Sequence, residues 1–186
     1  MLEIELKLKV DSLEPIAQKL AQLGAEFEGD FLQTDSYYDD SEDSLVNSDR
    51  CLRIRKHKNH GEIIELTYKG ARENHRFKTR REIGLKVEKA EELAYIFQHL
   101  GYKEKLTFEK KRSLWDFLGC KIALDELPLL GKFVEIEGPS DLVIEDAQKR
   151  LGLEAIQHTP QSYAHLMEEA IKKTGTKKRK ITFDTK

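Results

Sequence analysis

The 186-residue sequence has few cysteines and no long apolar segment. Its two cysteines, Cys51 and Cys120, lie far apart and outside any CxxC or Cys/His spacing, which argues against a disulfide scaffold or a zinc site. We expect both thiols to be reduced and partly packed. No apolar run approaches the roughly 20 residues that cross a bilayer, and the acidic start of the chain does not resemble a targeting signal. We therefore expect a soluble cytoplasmic protein with no membrane partner.

The glycines and histidines lack the patterns of two common kinds of site. The glycines are scattered, so the chain has no glycine-rich phosphate-binding loop. The histidines show no metal-ligand spacing. We interpret them as surface or packing residues; they are His57, His60, His75, His99, His158 and His165.

Charge is abundant but nearly balanced. Charged residues make up 35% of the chain, against about 25% on average, and the net charge is −2. Residues 172–186 hold seven bases and one acid, so the rest of the chain is acidic. An acidic body disfavours nucleic acid as a partner, and the tail has a single aromatic residue, Phe183, for stacking on RNA bases. We interpret the tail as a solvated, frayed end.

Hydrophobic spacing predicts about four helices and a mostly antiparallel sheet, which is an α+β fold. Apolar residues recur at helical spacing in segments 13–23 and 90–100, between Ser140 and Gly152, and after Thr159. Side chains alternate with a period of two in segments 2–10, 50–57, 63–69, 76–83, 106–116, 120–127 and 132–138. The loops 39–49 and 56–62 are polar but do not have the composition of a linker, so we expect one domain.

A weak internal repeat relates the two halves of the chain. One shift aligns Val10 with Val87 and Gly24 with Gly101. A strand, a helix, a Leu-Gly pair and a second strand thus recur, and we interpret the halves as similar units.

The predicted strands have one apolar face and one ionic face. In the first strand, leucine and isoleucine alternate with Glu3, Glu5 and Lys7. Any single strand of this kind is explained by an antiparallel sheet with one face in water. The repetition of the pattern, together with enough apolar helix surface to cover the sheet, favours a barrel whose ionic faces point inward.

An ionic interior needs a ligand, because each unpaired buried ion costs several kcal/mol. Arginine and lysine side chains suit a polyphosphate. The carboxylates on the same faces would repel phosphate unless a divalent cation, Mg²⁺ or Mn²⁺, links the two. The residues therefore favour a complex of metal and polyphosphate.

Eight short motifs follow one another along the chain. They are EIELK, an ExExK motif, at residues 3–7, TDSYYD at 34–39, LRIR at 52–55, LTYKG at 66–70, KTRRE at 78–82, KKR at 110–112, LDE at 124–126 and LGKFVEIE at 130–137. Together they resemble the CYTH, or triphosphate tunnel metalloenzyme, superfamily, and within it the class IV adenylate cyclase branch. The ordered series is more specific than ExExK alone, and the resemblance extends from residue 1 to about residue 170.

The resemblance implies a closed antiparallel eight-stranded β-barrel, a triphosphate tunnel, with about four helices packed outside. We expect a single domain over residues 1–174 and a basic tail over residues 175–186. The implied metal ligands are Glu3, Glu5, Asp125, Glu135 and Glu137. The implied substrate-binding residues are Lys7, Arg53, Arg55, Lys69, Lys78, Arg80, Lys110 and Arg112. The implied catalytic residues are Glu5, Lys7 and Glu82, with Glu82 orienting a base or a second metal.

The resemblance implies an enzyme that needs Mg²⁺ or Mn²⁺ and acts on ATP, tripolyphosphate or thiamine triphosphate. The expected reaction is that of an adenylate cyclase, which converts ATP into cyclic AMP and pyrophosphate. An inorganic or thiamine triphosphatase is an alternative, because it needs the same metals and bases. A non-catalytic module that binds polyphosphate or a nucleotide is a second alternative. A homodimer is left open. Tyr163 resembles a residue near the end of cyclase-like members and is equally explained by packing.

Overall fold

A computed structural model of the chain describes residues 1–58 and 62–185. The strands are β1 (Leu2–Val10), β2 (Glu26–Asp39), β3 (Cys51–Lys58), β4 (Glu62–Lys69), β5 (Lys78–Val87), β6 (Lys103–Phe117), β7 (Cys120–Leu127), β8 (Gly131–Glu137) and β9 (Lys180–Ile181). The helices are α1 (Glu14–Gln22), α2 (Ser44–Asn47), α3 (Ala90–His99), α4 (Asp141–Leu151) and α5 (Tyr163–Thr174).

Eight strands form a closed antiparallel barrel. Neighbouring strands follow the order β2-β3-β4-β5-β1-β8-β7-β6, and β6 pairs back onto β2 between Glu26–Asp116 and Asp39–Lys103. This pairing closes the ring, so the predicted eight-stranded barrel is confirmed. Each of the seven alternating segments overlaps a strand, whereas β2 was not predicted. The barrel interior is the space that the ionic strand faces enclose.

The apolar strand faces point outward and are covered by helices. Ile16 of α1 and Ile144 of α4 belong to a buried cluster with Leu8, Ile122 and Val134, which are fully buried. On the other side of the barrel, Phe97 of α3 packs with residues of β3 and β4. Each fully buried aliphatic side chain contributes about 1.5–3 kcal/mol, so this outer core keeps the sheet curled.

Helix α5 covers one end of the barrel interior. Tyr163, Met167 and Ile171 pack against Phe108 of β6 and Phe133 of β8. Along their strands these two phenylalanines have the same orientation as the ionic residues Lys110 and Glu135, because side chains alternate between the two faces. One end of the tunnel is therefore filled by apolar side chains, and the ionic residues lie between this end and the opposite one.

The chain before α5 holds the helix in place. Thr159 donates a backbone hydrogen bond to the Lys7 carbonyl at 2.8 Å, and Leu8 bridges to His158. These contacts continue the edge of β1 beyond Glu5, where its pairing with β5 ends. Helix α5 begins at Tyr163, after Ser162 caps it by accepting from the His165 N–H.

The C-terminal tail is ordered against the barrel. β9 pairs in parallel with Thr107 and Phe108 of β6, and Ile181 is fully buried beside α5. The expectation of a solvated, frayed end is therefore wrong for this segment. One apolar residue inserts into the core, while the neighbouring Lys180 stays exposed.

The internal repeat corresponds to a repeated β-α-β unit. The first unit is β1-α1-β2 and the second is β5-α3-β6. Gly24 and Gly101 follow the two helices with φ angles of 75° and 88°, a left-handed conformation that glycine adopts without steric cost. The aligned glycines thus terminate equivalent helices.

The remaining segments agree in part with the sequence analysis. The polar loop 39–49 contains the short helix α2, whose Leu45 and Val46 N–H groups donate to the carboxylate of Asp39 at 3.0 and 2.9 Å.

Cys120 is buried and Cys51 is partly buried, and both thiols are free. Within residues 1–58 and 62–185, no helix has the length and apolarity needed to cross a membrane.

Candidate functional site

The barrel interior brings together all the residues predicted to form the site. They come from seven strands, and none from β2. They are Glu3, Glu5, Lys7, Arg53, Arg55, Lys69, Lys78, Arg80, Glu82, Lys110, Arg112, Asp125, Glu135 and Glu137. Most are buried or half-buried, and Glu137 is exposed. The interior is therefore a band of charge of both signs.

The first group of ion pairs lies along β1. Lys69 Nζ donates to both carboxylate oxygens of Glu3, at 2.6 and 2.8 Å, and lies 2.9 Å from Glu82 Oε2. Lys78 Nζ donates to Glu5. Burial would raise the pKa of Glu5, but the ammonium groups of Lys78, Lys7 and Lys69 together outweigh it and lower this pKa to about 2. Glu5 is therefore ionised at neutral pH.

The second group centres on Asp125, which is fully buried. Arg112 donates to its two oxygens at 2.7 and 2.5 Å, and the same guanidinium reaches Glu135. Tyr163 Oη donates to Asp125 Oδ2 at 2.9 Å. The Lys7 ammonium lies 3.3 Å from Glu135 and 4.2 Å from the centre of the Tyr163 ring. Tyr163 is thus part of the site wall as well as of the packed end.

Asp35 forms the centre of a third group that the sequence analysis did not assign. It is 1% exposed and accepts two hydrogen bonds from Arg55, at 2.6 and 2.7 Å. Burial would raise the pKa of Asp35, but Arg55 and Arg53 outweigh it and hold the pKa well below its usual range. The TDSYYD motif contained Asp35, and recognition of β2 as a strand would have placed it inside the barrel.

Asp49 is the second unassigned residue, and it orients Arg80. Its backbone carbonyl and Oδ1 accept from the two Nη atoms of Arg80, each at 2.6 Å, and the Gly70 carbonyl accepts at 3.0 Å. Asp49 lies in the turn after α2 with a left-handed φ of 55°. Its polar loop position gave no sign of this contact.

Two buried arginine nitrogens have no partner within the part of the chain that the structure describes. They are Nε of Arg53 and Nε of Arg80, whose residues are 8% and 6% exposed. The Nη2 atom of Arg53 donates to Thr67 at 3.2 Å, so the side chain is held while Nε stays free. An unpaired buried donor costs about 1–3 kcal/mol. Both groups therefore suit a ligand with hydrogen-bond acceptors.

Lys110 is the most deeply buried base of the site. The residue is 1% exposed, and its Nζ lies 3.6 Å from Asp125 Oδ2 and 5.0 Å from the centre of the Tyr163 ring. Burial lowers the pKa of Lys110 to about 7, and the positive charges of Arg112 and Arg55 contribute in the same direction. A bound anion beside this amine would favour its charged form.

The family of the chain follows from comparison with known proteins. The family model described as the CYTH domain matches residues 1–163. The chain belongs to the CYTH family. The predicted family is therefore confirmed, and CYTH proteins are generally divalent-metal-dependent enzymes that act on triphosphates.

Three similar proteins illustrate the place of the chain within the CYTH family. The candidate adenylate cyclase MJ0240 of Methanocaldococcus jannaschii is 32% identical over 137 residues, which are 74% of this chain and 77% of that protein. Adenylate cyclase CyaB of Aeromonas hydrophila is 27% identical over 179 residues, 91% of this chain and 90% of that one. The solved structure of the PH1819 protein from Pyrococcus horikoshii OT3 has a TM-score of 0.79 at 30% identity and covers 90% of this chain and 98% of its own.

Glu137 gives the clearest sign of where a cation fits in this CYTH barrel. Partial burial and the nearby carboxylates of Glu3, Glu5 and Glu82 raise the pKa of Glu137 to about 7, against a smaller opposing effect of Lys69. Among the described residues no salt bridge satisfies Glu137, and no group of three or more Asp, Glu, His or Cys side chains is arranged to hold a metal. Carboxylate oxygens are nevertheless the ligands that Mg²⁺ and Mn²⁺ prefer, so the donor chemistry fits a divalent cation.

Among the described histidines, His57 lies in the CYTH barrel interior. His57 is partly buried, with its ring between Gln33 and Glu65. These contacts agree with the interpretation as a packing residue, and its strand position places His57 on the ionic face with Arg53 and Arg55. The side chains of His75, His99, His158 and His165 belong to exposed residues, and His60 lies outside the described residues.

Proposed function

We propose that this CYTH protein is an adenylate cyclase that needs Mg²⁺ or Mn²⁺ and converts ATP into cyclic AMP and pyrophosphate. The observation that carries the substrate class is the pair of unpartnered buried donors, Arg53 Nε and Arg80 Nε, within a band of further bases. A chain of phosphate groups supplies acceptors and negative charge at several successive positions. The choice of a cyclase over a triphosphatase is supported by the names of two relatives, at 32% and 27% identity.

In the proposed reaction the 3′ oxygen of ATP bonds to the α-phosphorus while the bond from this phosphorus to the bridging oxygen breaks. The 3′-hydroxyl proton is lost, and pyrophosphate leaves with the bonding electrons. The bases along the tunnel hold the phosphates in line and stabilise the leaving group. The proposed set is Lys7, Arg53, Arg55, Lys69, Lys78, Arg80, Lys110 and Arg112.

Glu3, Glu5 and Glu137 are three of the five proposed ligands of the divalent cation. Glu5 is ionised because of Lys78, Lys7 and Lys69, and Glu137 forms no salt bridge among the described residues. Asp125 and Glu135 stay in the proposed ligand set, although Arg112 already donates to both. When bound, the cation would neutralise charge on the phosphoryl oxygens. Glu5, Lys7 and Glu82 keep their proposed catalytic roles, with Lys7 held by Glu135 and by the Gln161 carbonyl at 3.0 Å.

The deciding experiment incubates the purified protein with ATP, tripolyphosphate or thiamine triphosphate, in the presence of Mg²⁺ or Mn²⁺, and identifies the products. Cyclic AMP and pyrophosphate from ATP support the proposal. Orthophosphate released from any of the three without cyclic AMP contradicts the cyclase and supports a triphosphatase. Tight binding without product supports a binding module.

Variants of one tunnel arginine test the binding site separately from the reaction. Arg53→Met should raise the KM for ATP and the Kd for tripolyphosphate, because it removes a positive charge and an unpaired hydrogen-bond donor from the tunnel. Arg150→Met is the matched control, since Arg150 is exposed on α4 and pairs with Asp146 of its own helix. Equal affinity in Arg53→Met and the parent would contradict the role of Arg53.

The domain limits 1–174 and 175–186, a cytoplasmic location and a homodimer stay predictions. The contacts of β9 with β6 favour a tail that is part of the domain, since Ile181 shares its core.

A further inference from the structure

Gln33 lies in the tunnel at a distance from the end that α5 covers. Tyr37, further along β2, stacks on Phe108 at a centroid distance of 5.4 Å and packs with the α5 cluster. Gln33 precedes Tyr37 by four residues, which is about 13 Å along an extended strand. Its neighbours across the sheet are His57 on β3 and Lys110 on β6. Gln33 thus lies within the charged band, beside Lys110, and about 13 Å along β2 from the apolar cluster that contains Tyr37.

A chain of two hydrogen bonds fixes the orientation of the Gln33 amide. Glu65 Oε2 lies 2.9 Å from His57 Nε2, and a carboxylate can only accept, so His57 Nε2 carries a proton. Gln33 Nε2 lies 3.1 Å from His57 Nδ1, and an amide nitrogen can only donate, so Nδ1 accepts this hydrogen bond. The amide nitrogen of Gln33 therefore faces His57, and its carbonyl oxygen faces elsewhere.

That carbonyl oxygen, Gln33 Oε1, is buried without a hydrogen-bond partner among the described residues. The residue is 3% exposed, so bulk water does not replace the missing partner. An unpaired acceptor can be satisfied only by an N–H or O–H donor. Phosphate oxygens of an ionised triphosphate are acceptors and do not meet this need. The unpaired atom therefore suits a part of the ligand other than its phosphates.

We propose that Gln33 Oε1 accepts a hydrogen bond from an N–H or O–H group on the organic part of the triphosphate substrate. His57 and Glu65 are positioning residues, which hold the Gln33 amide in the accepting orientation. Phe31 lies on the same face of β2, two residues before Gln33, with its ring 6.1 Å from that of His57, and adds aromatic surface beside the same place. The inference rests on the proposed function, and it makes the tunnel selective for an organic triphosphate over tripolyphosphate.

The first test compares two ligands in one variant. Gln33→Met keeps the approximate size of the side chain and removes the acceptor. Its affinity for ATP should fall roughly 5- to 10-fold, as for the loss of one neutral hydrogen bond, while its affinity for tripolyphosphate stays unchanged. Affinities are measured by isothermal titration calorimetry in a chelating buffer, so that no turnover takes place. Gln98→Met, at an exposed position of α3, is the matched control and should change neither affinity.

The second test identifies the donor on the ligand. Purine riboside triphosphate lacks the amino group of ATP, and 2′-deoxy-ATP and 3′-deoxy-ATP each lack one hydroxyl. The analogue without the relevant donor should bind the parent more weakly than ATP and should bind Gln33→Met as well as it binds the parent. If Gln33→Met lowers the affinities for ATP and for all three analogues by the same factor, the proposal is overturned, since Gln33 then recognises none of these donors.

The positioning role of His57 has its own readout, the ratio of the affinities for ATP and tripolyphosphate. His57→Leu removes the partner of Gln33 and should lower this ratio. In His57→Asn the amide oxygen can accept from Gln33, and the ratio should be restored. An equal ratio in the parent, His57→Leu and Gln33→Met overturns the inference while leaving the proposed function intact. Failure of the parent itself to bind either ligand even in the presence of Mg²⁺ contradicts the proposed function instead.

Discussion

Arg179 in the C-terminal segment forms a two-point salt bridge with Glu168 of α5. Its Nη1 lies 2.9 Å from Glu168 Oε2, its Nη2 donates to the other oxygen, and its Nε donates to the Lys105 carbonyl at 2.7 Å. The segment thus joins α5 to β6. Since α5 carries Tyr163 into the tunnel, the tail supports one wall of the site from outside.

Ile181→Ala should lower the free energy of unfolding by about 2–4 kcal/mol, because this side chain is fully buried between α5 and β6. Urea denaturation measures the loss. Lys178→Ala, at an exposed position of the same tail, should leave the stability unchanged. Truncation after Thr174 should destabilise the protein further, and a truncated protein as stable as the parent would contradict the structural role of the tail.

Tyr163→Phe should distinguish the contribution of the Tyr163 hydroxyl group from that of its ring. The variant loses the hydrogen bond to the Asp125 carboxylate, which should lower the free energy of unfolding by about 1–3 kcal/mol. The ring still covers Lys7, so tripolyphosphate affinity should change by no more than about 2-fold. Tyr95→Phe, on the exposed surface of α3, is the control. An unchanged melting temperature in Tyr163→Phe would show that only the ring matters.

The inward direction of the charged residues was predictable from sequence because the alternation has a direct physical cause. In β1, Leu6 and Leu8 are buried under helices on one face, while Glu5 and Lys7 face the tunnel. Successive side chains of a pleated strand point to opposite faces, so when the apolar face is covered by helices the ionic face must point into the barrel. The tunnel-facing set on these strands follows from that rule.

Two residues whose role in the site could not be derived from the sequence, Asp49 and Tyr163, reach it by contacts between distant parts of the chain. Asp49 holds Arg80 from a turn, and Tyr163 reaches Asp125 from the start of a helix. No local pattern encodes either contact. Ile181 was missed for a different reason, since a single apolar residue among lysines and threonines has the composition of a solvated segment. Its burial depends on the free edge of β6 at Thr107.

Binding of tripolyphosphate at pH 8 should be accompanied by uptake of close to one proton by Lys110. Burial lowers its pKa to about 7, so the free amine is mostly neutral at pH 8, and neighbouring phosphates would favour the ammonium form. Titration calorimetry in buffers of different ionisation enthalpy measures the uptake, which should vanish below pH 6. Lys110→Met should abolish it, and Lys149→Met, at an exposed position of α4, should not.

The same pKa predicts how Lys110 affects stability. Between pH 7 and 10.5 the unfolded chain holds a proton on this lysine that the folded chain lacks, so stability rises with pH over this range. The destabilisation by Lys110 is complete below pH 7 and lost near pH 10.5. The stability of Lys110→Met should therefore exceed that of the parent by the largest amount below pH 7. A constant difference from the parent at all pH values would contradict the lowered pKa.

Glu137→Gln should make the metal-free protein more stable than the parent above pH 7. The pKa of Glu137 is raised to about 7, so the folded state holds its proton more tightly than the unfolded state and loses stability as the pH rises from 4.5 to 7. The advantage of the variant should therefore vanish below pH 4.5. Thermal denaturation in a chelating buffer measures this difference, with Glu154→Gln, at an exposed position, as the control.

In the presence of Mg²⁺ the parent should be more stable than Glu137→Gln, the reverse of their order without metal. A cation bound beside Glu3, Glu5 and Glu137 relieves their mutual repulsion and stabilises the parent by mass action. Glu137→Gln should bind Mg²⁺ roughly 10- to 100-fold more weakly, as expected for the loss of one charged contact, and should gain little stability from it. If Mg²⁺ stabilised the variant and the parent equally at pH 8, Glu137 would not be a metal ligand, and its raised pKa would be a consequence of crowded carboxylates alone.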